Sequence, residues 1–346
     1  EKVLPIRTVY FGEQLIWQCP RGMASESFPS WICRGPSDPP PLHRMSLYAQ
    51  RQRTFIWAVP SANVTTGVKS MEKMWEELVQ IYSKSEITKP TDRLVAFRGI
   101  FNRLSEVFEG QEPDWCVAGL WKTSLVKQLL WKRHGEIDKS DPKMIARGKE
   151  LFELFPSWSW AACPTNIVFP VIPSLSDNWK PVEDMVHIET IQPGQPLHPE
   201  ATYTAFETSS RIVLRGLVDA KFNSETVARA WAVNTHAIEP EVLISFGGKR
   251  FRKFDAVIIF DRPFSESVGY QDLKLLPIRI SIDWGYVYGL LVESQGIWEG
   301  VPTYRRLGRF DASPGVKSVI PGRAERMKKI PGLKERSKDF PILQLV

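Results

Sequence analysis

Cys19 and Cys163 are the side chains best suited to act as nucleophiles, and His43, His134, His187, His198 and His236 are the histidines that could activate one. A cysteine nucleophile needs a neighbouring base and a stabilised thiolate. The sequence sets no histidine beside either cysteine. No histidine has a second histidine or a cysteine at metal-ligand spacing, and the four cysteines form no Cys-x-x-Cys pair. The serine-elbow, zinc-protease, phosphate-loop and dinucleotide fingerprints are all missing. No catalytic, cofactor-binding or metal-ligating residue is therefore assigned, and the reading is of a protein that is not an enzyme. The 13 tryptophans keep one alternative open, a hydrolase using two carboxylates across a cleft lined by aromatic platforms. Trp158 and Trp160, in "LFPSWSWAAC", are its natural candidates. Two apart on an extended segment they face one side, and each indole N–H demands an acceptor when buried. We read them as core.

The charge pattern bounds partners. The net charge is +6, and between Lys317 and Val346 eight basic residues stand against three acidic ones, so nearly all of the excess lies near the end of the chain. The rest is close to neutral, and a nucleic-acid partner is not expected. The alternative, a nucleic-acid-binding protein using the basic stretch, is weakened because "GRAERMKKIPGLKERSK" has no aromatic to stack on a base. No apolar run approaches the ~18 residues of a membrane helix, and no signal peptide is visible, so no membrane is expected and the chain is placed in the cytoplasm.

The elements fall in three groups. "VLPIRTVYFGEQLIW" reads as short strands broken at Gly12. After the proline-rich "RGPSDPPPLHR", Met71, Met74, Trp75, Leu78, Val79 and Tyr82 make a helical stripe, with Ser70 as its N-cap. Leu94, Phe97, Phe101, Leu104 and Phe108 mark a second helix and "CVAGLWKTSLVKQLLWKR" a third. Beyond the charged passage "GEIDKSDPKMIARGKE", short apolar runs recur from "NIVFPVI" to "TYRRLGRF", and Gly247-Gly248 signals a tight hairpin. The fold class is α+β: short N-terminal strands and a helical layer, followed by a largely antiparallel β-rich module.

Five blocks in fixed order carry a resemblance. "EKVLPIRTVYFGEQLIWQCPRGMASESFP" supplies Glu1, Leu4, Pro5, Arg7, Phe11, Leu15, Trp17, Cys19 and Glu26. "WEELVQIYSKSEITKPTDRLVAFRGI" supplies Trp75, Val79, Tyr82, Ser83, Thr88, Asp92, Arg93, Leu94, Ala96, Gly99 and Ile100. "AGLWKTSLVKQLLW", "FPSWSWAAC", and the pair "RIVLRGLV" and "YGLLVES…YRRLGRF" complete the set. In these blocks the chain resembles the fungal heterokaryon-incompatibility (HET domain) proteins over nearly its whole length. Ile6, Lys2, Gln18 and Ser85 depart from the family's usual residues.

The resemblance implies a division into residues 1–34, the tail end of a HET-type core region; 35–136, mainly helical; 137–320, the β-rich module; and 321–346, a basic C-terminal tail. It makes the P-S-W-S-W-A run the passage between the helical and β-rich parts, so that Trp158 and Trp160 are expected as inter-module core. The family's signature motifs Y-x-x-L-S-Y-x-W-G, W-I-D-x-x-C-I-N-Q and R-x-W-x-x-Q-E are not in this sequence. With Glu1 in place of a methionine, that implies a carboxy-terminal portion lacking the signature core. The implied function is non-self recognition and programmed cell death, with this chain a non-catalytic supporting or interaction region that engages a protein partner and uses no cofactor.

Overall fold

The computed structural model describes residues 8–11, 15–19, 22–25, 64–84, 89–95, 116–135, 141–169, 182–192, 210–218, 220–232, 237–245, 251–261, 271–281, 285–314 and 337–346. The chain divides into two compact units, Glu1–Leu78 with Val95–Pro113, and Val79–Leu94 with Asp114–Val346.

In the first unit, β1 (Thr8–Phe11), β2 (Leu15–Cys19) and β3 (Gly22–Ser25) form an antiparallel three-stranded sheet, with Val9 opposite Trp17 and Trp17 opposite Ala24. The break expected at Gly12 falls between β1 and β2. Helix α1 (Val64–Tyr82) contributes to both units. It starts six residues before the Ser70 cap. Each further helical residue adds a backbone hydrogen bond, and Val64 and Val68 continue the apolar stripe, so the signal at Ser70 is overridden.

The second unit begins with the end of α1 and the single turn α2 (Asp92–Val95). The rest of the second expected helix lies outside the described residues. The third expected helix is a correction: its span is divided among β4 (Cys116–Val117), β5 (Leu120–Trp121), a 3₁₀ turn, the short α3 (Leu125–Gln128) and β6 (Lys132–Arg133). The cause is a reversal at Ala118 (φ 45°) and Gly119 (φ 83°), which a right-handed helix cannot contain. Conversely, the charged passage, to which no element was assigned, carries α4 (Pro142–Leu154). Pro142 starts it, and the Asp141 carboxylate accepts from Lys143 N at 2.9 Å.

The expected β-rich module is present as one 11-stranded sheet that is almost wholly antiparallel. After β7 (Ile167–Val168), which pairs with β6, come β8 (Val182–Asp184), β9 (His187–Gln192), β10 (Arg211–Arg215) and β11 (Ala220–Phe222). Helix α5 (Ser224–Ala232) intervenes before β12 (Ala237–Ile238), β13 (Glu241–Ser245), β14 (Phe251–Phe260), β15 (Leu273–Ser281), β16 (Val287–Trp298), β17 (Val301–Pro314) and β18 (Ile342–Leu345). The main path runs β11-β13-β14-β17-β16-β15-β8. β13 and β14 do form a hairpin across Gly247-Gly248, but Ser245 pairs with Phe251, whereas a two-residue turn at those glycines would set it opposite Arg250; the connection itself lies outside the described residues. One face carries the core: Phe254, Ile258, Phe260, Leu275, Val287, Leu291, Phe310 and others, joined by Val227 of α5.

Within the 321–346 segment set apart as a basic C-terminal tail, the structure shows a strand in which Leu343, Gln344 and Leu345 are buried. β18 pairs antiparallel with β10 and parallel with β17, and among the described strands it is what joins β9 and β10 to the main sheet. Three successive buried residues mean that this strand is covered on both faces, and the basic residues of the segment precede it in the sequence. Among the described residues no helix is long and apolar enough to cross a membrane.

Candidate functional site

Four of the five blocks that carry the resemblance converge, inside the second unit, on a buried junction of tryptophans and arginines. Its floor is the P-S-W-S-W-A run. Trp158 and Trp160 are fully buried, as expected of core. They are not on an extended strand, however. Residues Trp160–Ala162 form a 3₁₀ turn capped by Ser159, whose hydroxyl accepts from Ala161 N at 3.0 Å and donates to Ala118 O at 2.7 Å. Each indole finds its acceptor in a different part of the chain. Trp158 Nε1 donates to Ser210 O beside β10 (3.2 Å), and Trp160 Nε1 donates to Gly119 O (2.9 Å). The pair thus links the segment before the run to the sheet after it.

Gly119 is fixed by this contact. A Cβ there would lie 2.5 Å from Trp160 Nε1, on a backbone already at positive φ. Tyr82 meets Trp160 edge-on at 6.1 Å and donates through Oη to Arg93 O at 2.9 Å. Ser83 Oγ accepts from Ile167 N at 3.1 Å. Tyr82, Ser83, Arg93, Gly119 and Trp160, scattered over three sequence blocks, form one wall.

The opposite wall is electrostatic. Arg306 is 1% exposed, and its guanidinium spans three partners. Nε donates to Asp261 Oδ2 at 2.7 Å, Nη2 to Trp131 O at 2.6 Å, and Nη1 to Leu129 O. The group also lies 3.6 Å from the centroid of the Trp131 ring, whose Nε1 donates to Trp158 O at 2.8 Å. Arg309 Nη1 donates to Leu130 O at 2.6 Å, and Arg309 pairs with Asp311. Burial pushes the Arg309 guanidinium below the usual arginine range, with the Asp311 carboxylate opposing that shift. The acceptors are the three successive carbonyls that follow α3, which have no partner within the helix; arginine side chains are well suited to such positions.

Two arginines three apart on a regular strand point to opposite faces. Here the pairing of β16 with β17 slips, Leu291 lying opposite Gly308 and Val292 opposite Arg306. Leu307 is thereby an extra residue in β17, and the bulge turns Arg306 and Arg309 to the same side. Gly308 permits it, since a Cβ there would sit 2.4 Å from Ile259 O. Ser157 closes the cluster. Its Oγ accepts from Arg306 N at 2.8 Å and donates to Val346 O.

The nucleophile candidates behave differently. The Cys19 side chain lies outside the described set. Cys163 is buried, with Sγ 3.6 Å from Thr165 Oγ1 and donating to Asp261 O at 3.5 Å. Burial first, and then the Asp261 charge, push its thiol up, against weaker opposition from Thr165 and Arg133. A thiol held protonated is a poor nucleophile. Burial also pushes the Cys116 thiol up. Folded-state pKa values raised above the unfolded 9.0 mean that stability is fully present below pH 9 and is lost as pH rises further. Each buried thiol should contribute a slope of about 1.4 kcal/mol per pH unit there. Denaturant midpoints measured at pH 8, 9 and 10 should fall accordingly, and a C116A/C163A variant should flatten the decline relative to the parent.

His134 donates its backbone N–H to Asn166 O at 2.8 Å, and His187 lies on β9. The other three histidines fall outside the described residues. Among the described residues no three His, Cys, Asp or Glu side chains gather as a metal site. Of the tryptophans whose exposure is described, Trp75, Trp121, Trp131, Trp158 and Trp160 are buried, while Trp298, at the tip of the β16–β17 hairpin, is 50% exposed under Arg211. The junction was not legible as a set beforehand. Arg306 and Arg309 were quoted only as part of a motif, and Asp261, which ends a strand-like run, carried no signal of its partner. Comparison with family models, with curated proteins and with solved structures matches nothing to this chain.

Proposed function

We propose that this chain is the non-catalytic supporting region of a heterokaryon-incompatibility-type protein of the fungal cytoplasm, acting in non-self recognition and programmed cell death by holding an effector core or engaging a protein partner. The observation that carries the reading is the convergence of four of the five motif blocks on one closed cluster. Tyr82, Ser83 and Arg93, then Gly119 and Trp131, then Ser157 to Trp160, then Arg306 and Arg309 are buried or hydrogen-bonded to one another. Motif residues spent on sealing an interior are architectural. A hydrolase would instead direct carboxylates and aromatic faces into an open cleft.

The test begins with the 5′ end of the transcript, sequenced from the full-length message. The encoded protein, and this chain alone, are then expressed from an inducible promoter in a filamentous host and scored by viable colonies. The reading expects this chain alone to be tolerated and the protein carrying the upstream signature motifs to kill. Killing by this chain alone, or a message without those motifs, sinks it.

A further inference from the structure

The β16–β17 hairpin ends in the two most exposed large apolar side chains of the described residues, Ile297 at 75% and Trp298 at 50%. Its backbone is built to hold them out. Trp298 pairs with Val301, so Glu299 and Gly300 form a two-residue turn, with φ of 51° and 79°, both positive as a type I′ hairpin requires. Just before it the register slips between Ser294 and Ile297, with Gly296 at φ 88°, a bulge of the kind that bends a strand. A Cβ added at Gly296 or Gly300 would meet nothing within 4 Å. Backbone conformation, and not packing, requires these glycines, and both stand in open space.

Two charges flank the apolar pair. The Arg211 guanidinium, at the start of β10, lies 4.5 Å from the Trp298 ring centroid, and Glu299 follows Trp298 in the turn. Among the described residues neither has an ion-pair partner, in contrast to Arg215–Glu189 on the same strand as Arg211 and Arg305–Glu293 lower on the hairpin. Glu299 is also ill suited to its backbone. Positive φ at the first turn position favours Asn, Asp or Gly, so glutamate there costs stability. A turn that gives up local stability to carry a carboxylate points to a role for that carboxylate outside the turn.

We propose that this hairpin tip is the contact between two copies of the chain, a two-fold dimer in which Ile297 and Trp298 pack on their counterparts and Arg211 of each copy meets Glu299 of the other. Charge selects the partner. A patch with one unpaired cation and one unpaired anion about an apolar centre is complementary to itself, because a two-fold axis midway between them sets each charge against its opposite. A surface of a single sign, such as an anionic membrane, would match only half of it. Composition agrees, since Trp and Arg are enriched at interface hot spots. Size sets the strength. Two apolar side chains and their rim cover only part of the ~800 Å² per partner of a standard interface, so the dimer is a weak one, with a dissociation constant on the order of 10 μM.

The experiment is sedimentation equilibrium of the full chain, at concentrations from well below that value to well above it. The parent should move from the monomer mass of 39.6 kDa toward twice that mass as concentration rises. Trp298→Ala and Ile297→Ser should each weaken association by at least about tenfold while the chain stays folded. Arg211→Glu and Glu299→Arg should each be monomeric alone, because like charges then meet. An equal mixture of those two variants should dimerise, since each copy supplies the charge the other needs. Glu299→Asn should raise Tm of the monomer by relieving the turn and yet weaken the dimer, a combination that a purely structural glutamate would not give. A parent that stays at the monomer mass throughout overturns the proposal and leaves the tip to a different protein. So does a dimer indifferent to Trp298→Ala and Ile297→Ser, a mixture of the charge variants that stays monomeric, or a Glu299→Asn variant that dimerises like the parent.

Discussion

Replacing Arg306 by leucine should destabilise the second unit by about 3–5 kcal/mol, the range found when one partner of a buried ion pair is removed. The substitution leaves Asp261, 4% exposed, as an unpaired carboxylate, and it strips the donors from Leu129 O and Trp131 O. The stacking on Trp131 at 3.6 Å is lost with them. Asp261→Asn alone should cost less, because the amide oxygen can still accept from Arg306 Nε. Combining the two changes should cost less than their sum, since with Arg306 gone no charge remains at position 261 to be stranded. Equilibrium unfolding in urea, followed by tryptophan fluorescence, measures all three. Strict additivity would mean that the pair does not act as a unit. The same variant bears on function. If the proposed supporting role is right, Arg306→Leu in the whole protein should lose killing without any change in the upstream motifs.

Trp160→Ala should cost a comparable 3–5 kcal/mol, the range for emptying a buried tryptophan site. Three losses coincide there. A fully buried ring disappears, Gly119 O loses the donor at 2.9 Å, and Arg93 and Tyr82 lose the surface against which both rest. Trp160→Phe separates these terms. It keeps most of the apolar volume and the edge contact with Tyr82 but leaves Gly119 O unsatisfied, so about 1–3 kcal/mol should be lost. Equal damage from Phe and Ala would show that the hydrogen bond, and not the packing, holds the reversal at Ala118 and Gly119. Trp158 offers a comparison, because its indole donates to Ser210 O and so couples the run to β10 instead.

Elements with strong local periodicity were legible in advance. The stripe from Met71 to Tyr82 predicts α1, and the apolar runs around "RIVLRGLV", "LPIRISI" and "GYVYGLLVES" predict β10, β15 and β16. Misreadings arose where a short-range signal met a stronger one. "CVAGLWKTSLVKQLLWKR" has helical spacing, yet Gly119 is drawn to positive φ by its contact with Trp160, 41 residues away. In "GEIDKSDPKMIARGKE" the high charge concealed a helix that Asp141 and Pro142 announce. The buried strand "ILQL" was masked by its basic surroundings.

Sequence by itself determined which residues are apolar and at what period, because helix and strand alternation are properties of neighbouring residues. It therefore determined the α+β class, the order of helical and β-rich parts, and that Trp158 and Trp160 belong to the core. Tertiary structure alone decided who meets whom. The bulge at Leu307 places Arg306 and Arg309 on one face, Asp261 arrives from a strand 45 residues earlier, and the carbonyls after α3 arrive from still farther away. Such partnerships depend on register and on a single inserted residue. One slip of register exchanges the two faces of a strand, so a local pattern cannot encode which charge will meet which.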